Sequence, residues 1–149
     1  LDTLVRLSTL LGASDQQAVD LRAVVEATLA PYRDAGNLHL EGPRRLLPAR
    51  IARTLSLMLH ELATNAAKYG ALSRDGGTVD LAWSSIEAPE GRLVLTWTER
   101  GGPPVEPPRR RGFGCTLIEQ SAQHGLGGTA RLAFGREGVS CRIELPLPP

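Results

Sequence analysis

The chain has 149 residues and carries 17 Lys and Arg against 16 Asp and Glu, a net charge of +1. That length suits one compact domain with a real core, and 42% apolar with 22% charged residues excludes a disordered chain. The near balance of charge gives no support to nucleic-acid binding, which needs a basic surplus, and no apolar stretch approaches the ~18–20 residues that span a bilayer.

Taken in chain order, residues 1–11 place Leu4, Leu7, Leu10 and Leu11 at helical spacing, as the end of a preceding helix would. The first residue is Leu1, there is no signal peptide, and the chain reads as a piece of something longer. Gly12 breaks the first segment, and Ser14-Asp15 offers an N-cap for a helix carrying Val19, Leu21, Val24, Val25, Thr28 and Leu29, with Pro31 in its end zone. Residues 1–12 are therefore expected to be linker and 13–149 the domain proper. Residues 37–41 alternate with period two and read as a strand. Pro48 suits the first turn of a long helix over 49–69, which holds no Gly or Pro, and Gly70 fits its C-terminal cap.

Strand-like runs follow at 78–86 and 92–99, an expected antiparallel pair. The stretch 101–114, GGPPVEPPRRRGFG, contains almost nothing that packs, and such a loop inside a compact domain is usually functional. Residues 115–124 read as a helix, and 129–134 with 139–145 as a final hairpin. Segregated helices and adjacent strand pairs point to an α+β two-layer sandwich, with a mixed, mostly antiparallel sheet packed on helices. Cys115 and Cys141 are far apart, and His39, His60 and His124 are scattered, so neither a zinc site nor a disulfide scaffold is expected. Both cysteines read as thiols in a reducing cytosol.

The long helix carries the first chemical signal. With His60 at zero on a helical wheel, Glu61, Lys68 and Asn65 share an arc roughly 60° wide, beside a core stripe of Leu55, Leu59, Leu62 and Ala66. Glu and Asn supply the hard oxygens that Mg²⁺ accepts, and Lys supplies a point charge for phosphate. An ordinary polar helix face would also look like this. Gly112-Phe113-Gly114 leads into a helix, where backbone N–H groups make an anion site. Glu99-Arg100-Gly101-Gly102 ends a strand. A carboxylate there can accept from an exocyclic amine, and the glycines let a flat ring approach the backbone.

The order and spacing of the three motifs together are more specific than any one of them. His60-Glu61-Leu62-Ala63-Thr64-Asn65-Ala66-Ala67-Lys68-Tyr69-Gly70 resembles the N box of sensor histidine kinases. Trp97-Thr98-Glu99-Arg100-Gly101-Gly102-Pro103 resembles their first glycine box, and Gly112-Phe113-Gly114-Cys115-Thr116-Leu117-Ile118 their second. The histidine of the N box and the Trp-x-Glu triplet resemble the HWE subgroup. The likeness runs from about residue 15 to 147.

This resemblance implies the Bergerat-type sandwich of histidine kinases, type II topoisomerases and Hsp90-type chaperones, and an ATP-binding catalytic domain. It implies that Asn65 ligates Mg²⁺, and that Glu61 holds that ion's water or acts as a base. Lys68 would contact phosphate, Tyr69 would border the adenine or ribose, and Glu99 would read the adenine amine. Gly101, with Gly102 beside it, would pass close under the base. Gly112, Phe113 and Gly114 would form the phosphate turn, with Thr116 assisting, and Thr129 would close the base pocket. Residues 103–111 would form a lid, whose Arg109, Arg110 and Arg111 either approach the γ-phosphate or form a solvated charge run. His60 is a catalytic candidate whose place at the arc's edge equally suits a structural role. Trp83 and Trp97 read as core.

No histidine sits early on a long amphipathic helix, so the phosphoacceptor is expected on a dimerisation hairpin outside the chain. The remaining implied partner is a response regulator, with no nucleic acid and no membrane contact by this segment. The isolated domain is expected to be cytoplasmic, and a monomer or weak dimer. Two other readings stand beside it: an anti-sigma-factor serine kinase of the same fold, and a degenerate kinase-like scaffold without ATP turnover.

Overall fold

The computed structural model describes residues 17–33, 37–87, 91–104 and 113–147, the last from residue 116 where side chains are concerned. Expectations for residues 1–12, the Ser14-Asp15 cap and most of the lid lie outside the described residues. A five-stranded sheet has the order β2-β4-β5-β7-β6. Its strands are β2 (Leu38–Glu41), β4 (Thr78–Ile86), β5 (Arg92–Arg100), β6 (Thr129–Gly135) and β7 (Gly138–Pro146). β2 runs parallel to β4, and every other pairing is antiparallel. Helices α1 (Leu21–Arg33), α2 (Ala49–Tyr69) and α3 (Phe113–Gln120) form the second layer. The architecture is thus the expected α+β sandwich with a mixed, mostly antiparallel sheet.

The layers meet because strand and helix each present one apolar face. Val79, Leu81 and Trp83 alternate along β4, and Leu93, Leu95 and Trp97 along β5. They pack with Leu21, Val25 and Leu29 of α1 and with Leu55, Leu59, Leu62 and Ala66 of α2, the stripe the helical wheel picks out. Both tryptophans are core residues, as expected. The Trp83 indole donates to Pro43 O at 2.8 Å, and the Arg22 guanidinium lies 5.1 Å from its ring centroid.

The chain start departs from expectation. Ala18–Asp20 is a strand, β1, paired antiparallel with β3 (Leu46–Pro48), so Val19 lies in a strand and the helix opens at Leu21. Asp20 takes the capping role, its Oδ1 accepting the Arg22 N–H at 3.3 Å. A second small core of Val19, Val24, Ala49 and Ala52 forms beside this ribbon. Pro48 is the cap residue before α2, not part of its first turn, because its ψ of 141° is extended; the free Ala49 N–H donates to Gln17 O at 2.8 Å. Gly70 does follow α2, but its φ of −117° is not left-handed. Its lack of a side chain serves a different purpose, described below. At the other end, α3 gives way to a π-helical turn, Ser121–Gly125, which rests on α2 through Arg50 Nη1 donating to Gly125 O at 3.3 Å.

Candidate functional site

The polar stripe of α2 is present as expected. Glu61 and Asn65 are half-buried at its edge, Lys68 and His60 are exposed, and Tyr69 is half-exposed at the helix end. Burial raises the Tyr32 phenol of α1 above its ordinary value, and the negative charge of Glu61 adds to the effect.

Beyond the end of α2, three chain segments converge on one carboxylate. Glu99 is the last inward-facing residue of β5 and is only 6% exposed. Its Oε1 accepts the Ala71 N–H at 3.0 Å, from the short 3₁₀ turn after α2, and its Oε2 accepts the Trp97 indole N–H at 3.0 Å. A third donor is the Val139 N–H of β7. Burial pushes the Glu99 carboxyl above its ordinary value, and the three hydrogen bonds pull it back by less.

The glycines around Glu99 are explained by this crowding. A Cβ on Gly70 would collide with Glu99 Oε1, and one on Gly138 would lie 2.7 Å from the same atom. Gly101 has φ +73°, the left-handed region that glycine tolerates. Gly102 is buried, donates to Glu137 O at 2.9 Å, and would bring a Cβ to 2.7 Å from Ala71 N. The first glycine box therefore packs protein backbone against protein backbone around the carboxylate.

Other expected site residues lie elsewhere. Thr129 opens β6 opposite Glu144, whereas the Glu99 carboxylate neighbours Val139 at the other end of β7. Five residues of strand are about 17 Å, so the structure does not bring Thr129 to Glu99. The Gly127-Gly128 pair follows the π-helical turn, the Gly128 N–H donating to Ala122 O at 2.9 Å, and the glycine beside Glu99 on this hairpin is Gly138. Thr116 is exposed on α3. Phe113 and Gly114 open α3, while Arg109, Arg110, Arg111 and Gly112 lie outside the described residues. His39 on β2, His60 on α2 and His124 on the π-helical turn are all exposed. Ala71, Gly138 and Val139 carry no site signal in the sequence, and Gly70 reads there only as a helix cap and the end of the N box. Glycine at 138 signalled only a turn, and its closeness to Glu99 follows from the β5–β7 register, in which Thr98 faces Ser140.

Among the described residues no cluster of three or more His, Cys, Asp or Glu is assembled to hold a metal. A divalent ion on Glu61 and Asn65 would need further oxygens from a ligand, a familiar arrangement for Mg²⁺ with phosphates. An open cleft of about 390 Å³ is lined by Thr98, Glu99, Val139, Ser140 and the β6–β7 turn; the hydroxyls of Thr98 and Ser140 lie on the sheet face away from the helices.

No protein-family model matches the chain. It is 38% identical over 144 residues to blue-light-activated histidine kinase 1 of Erythrobacter litoralis, covering 93% of this chain and 39% of that protein. A blue-light-activated histidine kinase of Brucella anthropi is 35% identical over 141 residues, again across 93% of this chain but only 29% of its own length. The chain thus spans well under half the length of these relatives. The fold superposes on the histidine kinase domain of a blue-light-activated histidine kinase from Erythrobacter litoralis with a TM-score of 0.73 at 20% identity, covering 99% of this chain and 76% of that one. No helix among the described residues is long and apolar enough to cross a membrane. In sequence the chain is similar to a part of these histidine kinases, and its fold is that of a histidine kinase domain.

Proposed function

We propose that the chain is the ATP-binding catalytic domain of a two-component sensor kinase of the HWE subgroup, acting on a histidine of a dimerisation hairpin outside it. The observation that carries this reading is the Glu99 carboxylate, buried between Gly70 and Gly138 at the end of the helix that bears Glu61, Asn65 and Lys68. A buried carboxylate with an acceptor site to spare fits an exocyclic amine, and the half-buried amide and carboxylate of α2 fit a magnesium ion shared with phosphates.

ATP would supply the transferable phosphoryl group and magnesium the charge neutralisation that phosphoryl transfer requires. Glu99 reads the base, while Tyr69, half-exposed at the helix end, offers a ring face beside it. Asn65 provides the amide oxygen for the ion. Glu61 orients the ion's water or takes the proton of the attacking imidazole. Lys68, at the exposed end of the stripe, offers its ammonium to phosphate. Gly112, Phe113 and Gly114 are assigned to phosphate by their backbone N–H groups, with Thr116 beside them and residues 103–111 as the lid. His60, exposed one position before Glu61, retains the structural alternative.

The 1–12 segment is assigned to the linker from the hairpin, the setting to the cytoplasm, and the downstream partner to a response regulator. No nucleic-acid or membrane contact is assigned to this segment, and the isolated domain is assigned as a monomer or weak dimer. The anti-sigma-factor kinase reading is disfavoured by the pairing of His60-Glu61 with Trp97-Thr98-Glu99, and the scaffold reading by the retention of Asn65 and Glu99.

Calorimetric titration with a non-hydrolysable ATP analogue tests the proposal. Binding is expected with Mg²⁺, weaker after chelation with EDTA, and at least about tenfold weaker in Asn65→Ala. No heat at millimolar nucleotide in the wild-type domain would establish the scaffold reading instead.

A further inference from the structure

The mechanism above uses Glu99 and leaves Trp97 as core. Yet Trp97 is fully buried, and an indole carries one polar atom that must find an acceptor when water is excluded. It finds Glu99 Oε2 at 3.0 Å. The two residues are two apart on one strand, so both side chains leave the same face of β5. The other donors to Glu99, Ala71 N–H and Val139 N–H, belong to the backbone. A carboxylate has about four acceptor positions, three of which are taken by the protein. Only one of these three donors sits on a side chain, and only that one can be varied without moving backbone.

Resting on the ATP reading, we infer that Trp97 is a positioning residue for base recognition: its indole N–H pins Oε2, so that Glu99 presents its remaining acceptor site in one orientation to the exocyclic amine of adenine. Glutamate is one methylene longer than aspartate and has one more rotatable bond. Gly70 and Gly138 clear space around the carboxylate, and the indole fixes it within that space. The same orientation disfavours guanine, whose carbonyl oxygen at the equivalent position would face a carboxylate oxygen with no proton between them.

The test is a cycle of Trp97→Phe, Glu99→Gln and the double variant, with the Mg²⁺ complexes of non-hydrolysable ATP and GTP analogues titrated into each. Phenylalanine keeps most of the buried ring and removes the donor. Loss of one hydrogen bond to a charged group is expected to reduce the preference for ATP over GTP about tenfold in Trp97→Phe. The double variant is expected to lose no more than Glu99→Gln alone, because the indole acts only through the carboxylate. A Trp97→Phe domain with the wild-type preference overturns the inference, and so does a double variant whose loss is the product of the two single losses.

Should Trp97→Phe fail to fold, the indole N–H resonance of the wild-type domain carries the test. It is expected downfield, to move on adding the ATP analogue, and to shift upfield in Glu99→Gln. An indole resonance indifferent to both overturns the inference. A wild-type domain that binds neither analogue overturns the ATP reading itself and this inference with it, a result distinct from binding without a contribution from Trp97.

Discussion

Glu99 sets two opposing effects against each other at one atom pair. Removing a carboxylate from water disfavours its charged form, and three N–H donors favour it. Burial is the larger effect, so the folded pKa lies above the ordinary value of 4.5. An acid with a raised folded pKa takes up protons on folding, so its contribution to stability grows as pH falls from neutral through that raised value and levels off below 4.5. The thermal midpoint of the wild type relative to Glu99→Gln is therefore expected to rise between pH 7 and pH 5. A difference that shrinks over that interval would show that the hydrogen bonds dominate. Glu144 has the opposite sign, lowered first by its hydrogen bond from Arg142, but it lies on the exposed sheet face, where solvent screens the effect. Crowding at Glu99 makes a second prediction. Gly70→Ala would place a methyl on Oε1, without backbone strain because φ is −117°. Overpacking of this kind costs about 1–3 kcal/mol. In a Glu99→Asp background the retracted carboxylate should lower that cost, and equal losses in both backgrounds, measured by urea unfolding, would place the strain elsewhere.

At the scale of elements, α1 and α2 are tied by a polar contact inside the apolar layer. Thr28 Oγ1 donates to Val24 O at 2.8 Å and lies 2.9 Å from Ser56 Oγ, both side chains being buried. Thr28→Val leaves Ser56 without its cross-helix partner and should cost about 1–2 kcal/mol. Ser56→Ala added to it should cost less than its separate effect, since removing both partners leaves no orphan. Chemical denaturation of the four proteins checks this, and strict additivity would mean the hydroxyls do not couple. Neither hydroxyl was legible in the sequence, where Thr28 counted only as a member of a helical face. What was legible follows element length. α2 and β4 have the bounds expected of them, because 21 and 9 residues carry several full periods of pattern. β1 and β3 have three residues each and pair across more than twenty positions, so no local periodicity marks them, and Val19 was assigned to a helix. The site divides the same way. The α2 stripe is a spacing within one element and could be read. The approach of Val139 to Glu99, and the distance of Thr129 from it, depend on strand register, which a motif does not encode.

At the scale of the whole molecule, α2 is the element on which both layers depend. One face meets the sheet and α1, and the other carries the polar stripe, so its rotation about its own axis decides whether Glu61 and Asn65 sit half-buried at the core edge, as the proposed function requires. Two leucines two positions apart measure that rotation. Leu59 is fully buried in the main core, whereas Leu57 is 47% exposed on the opposite side of the same turn. Leu59→Ala removes three carbons from a packed interior and should cost about 2–5 kcal/mol. In a domain of this size that lowers the thermal midpoint by roughly 2–4 °C per kcal/mol. Leu57→Ala removes the same atoms from a wet face and should stay within about 0.5 kcal/mol. Urea unfolding of both variants, read at a constant m-value, decides the matter. Equal losses would mean that α2 is rotated so that Leu57 and Leu59 are equally buried. The carboxylate and amide of the stripe would then leave the edge of the core.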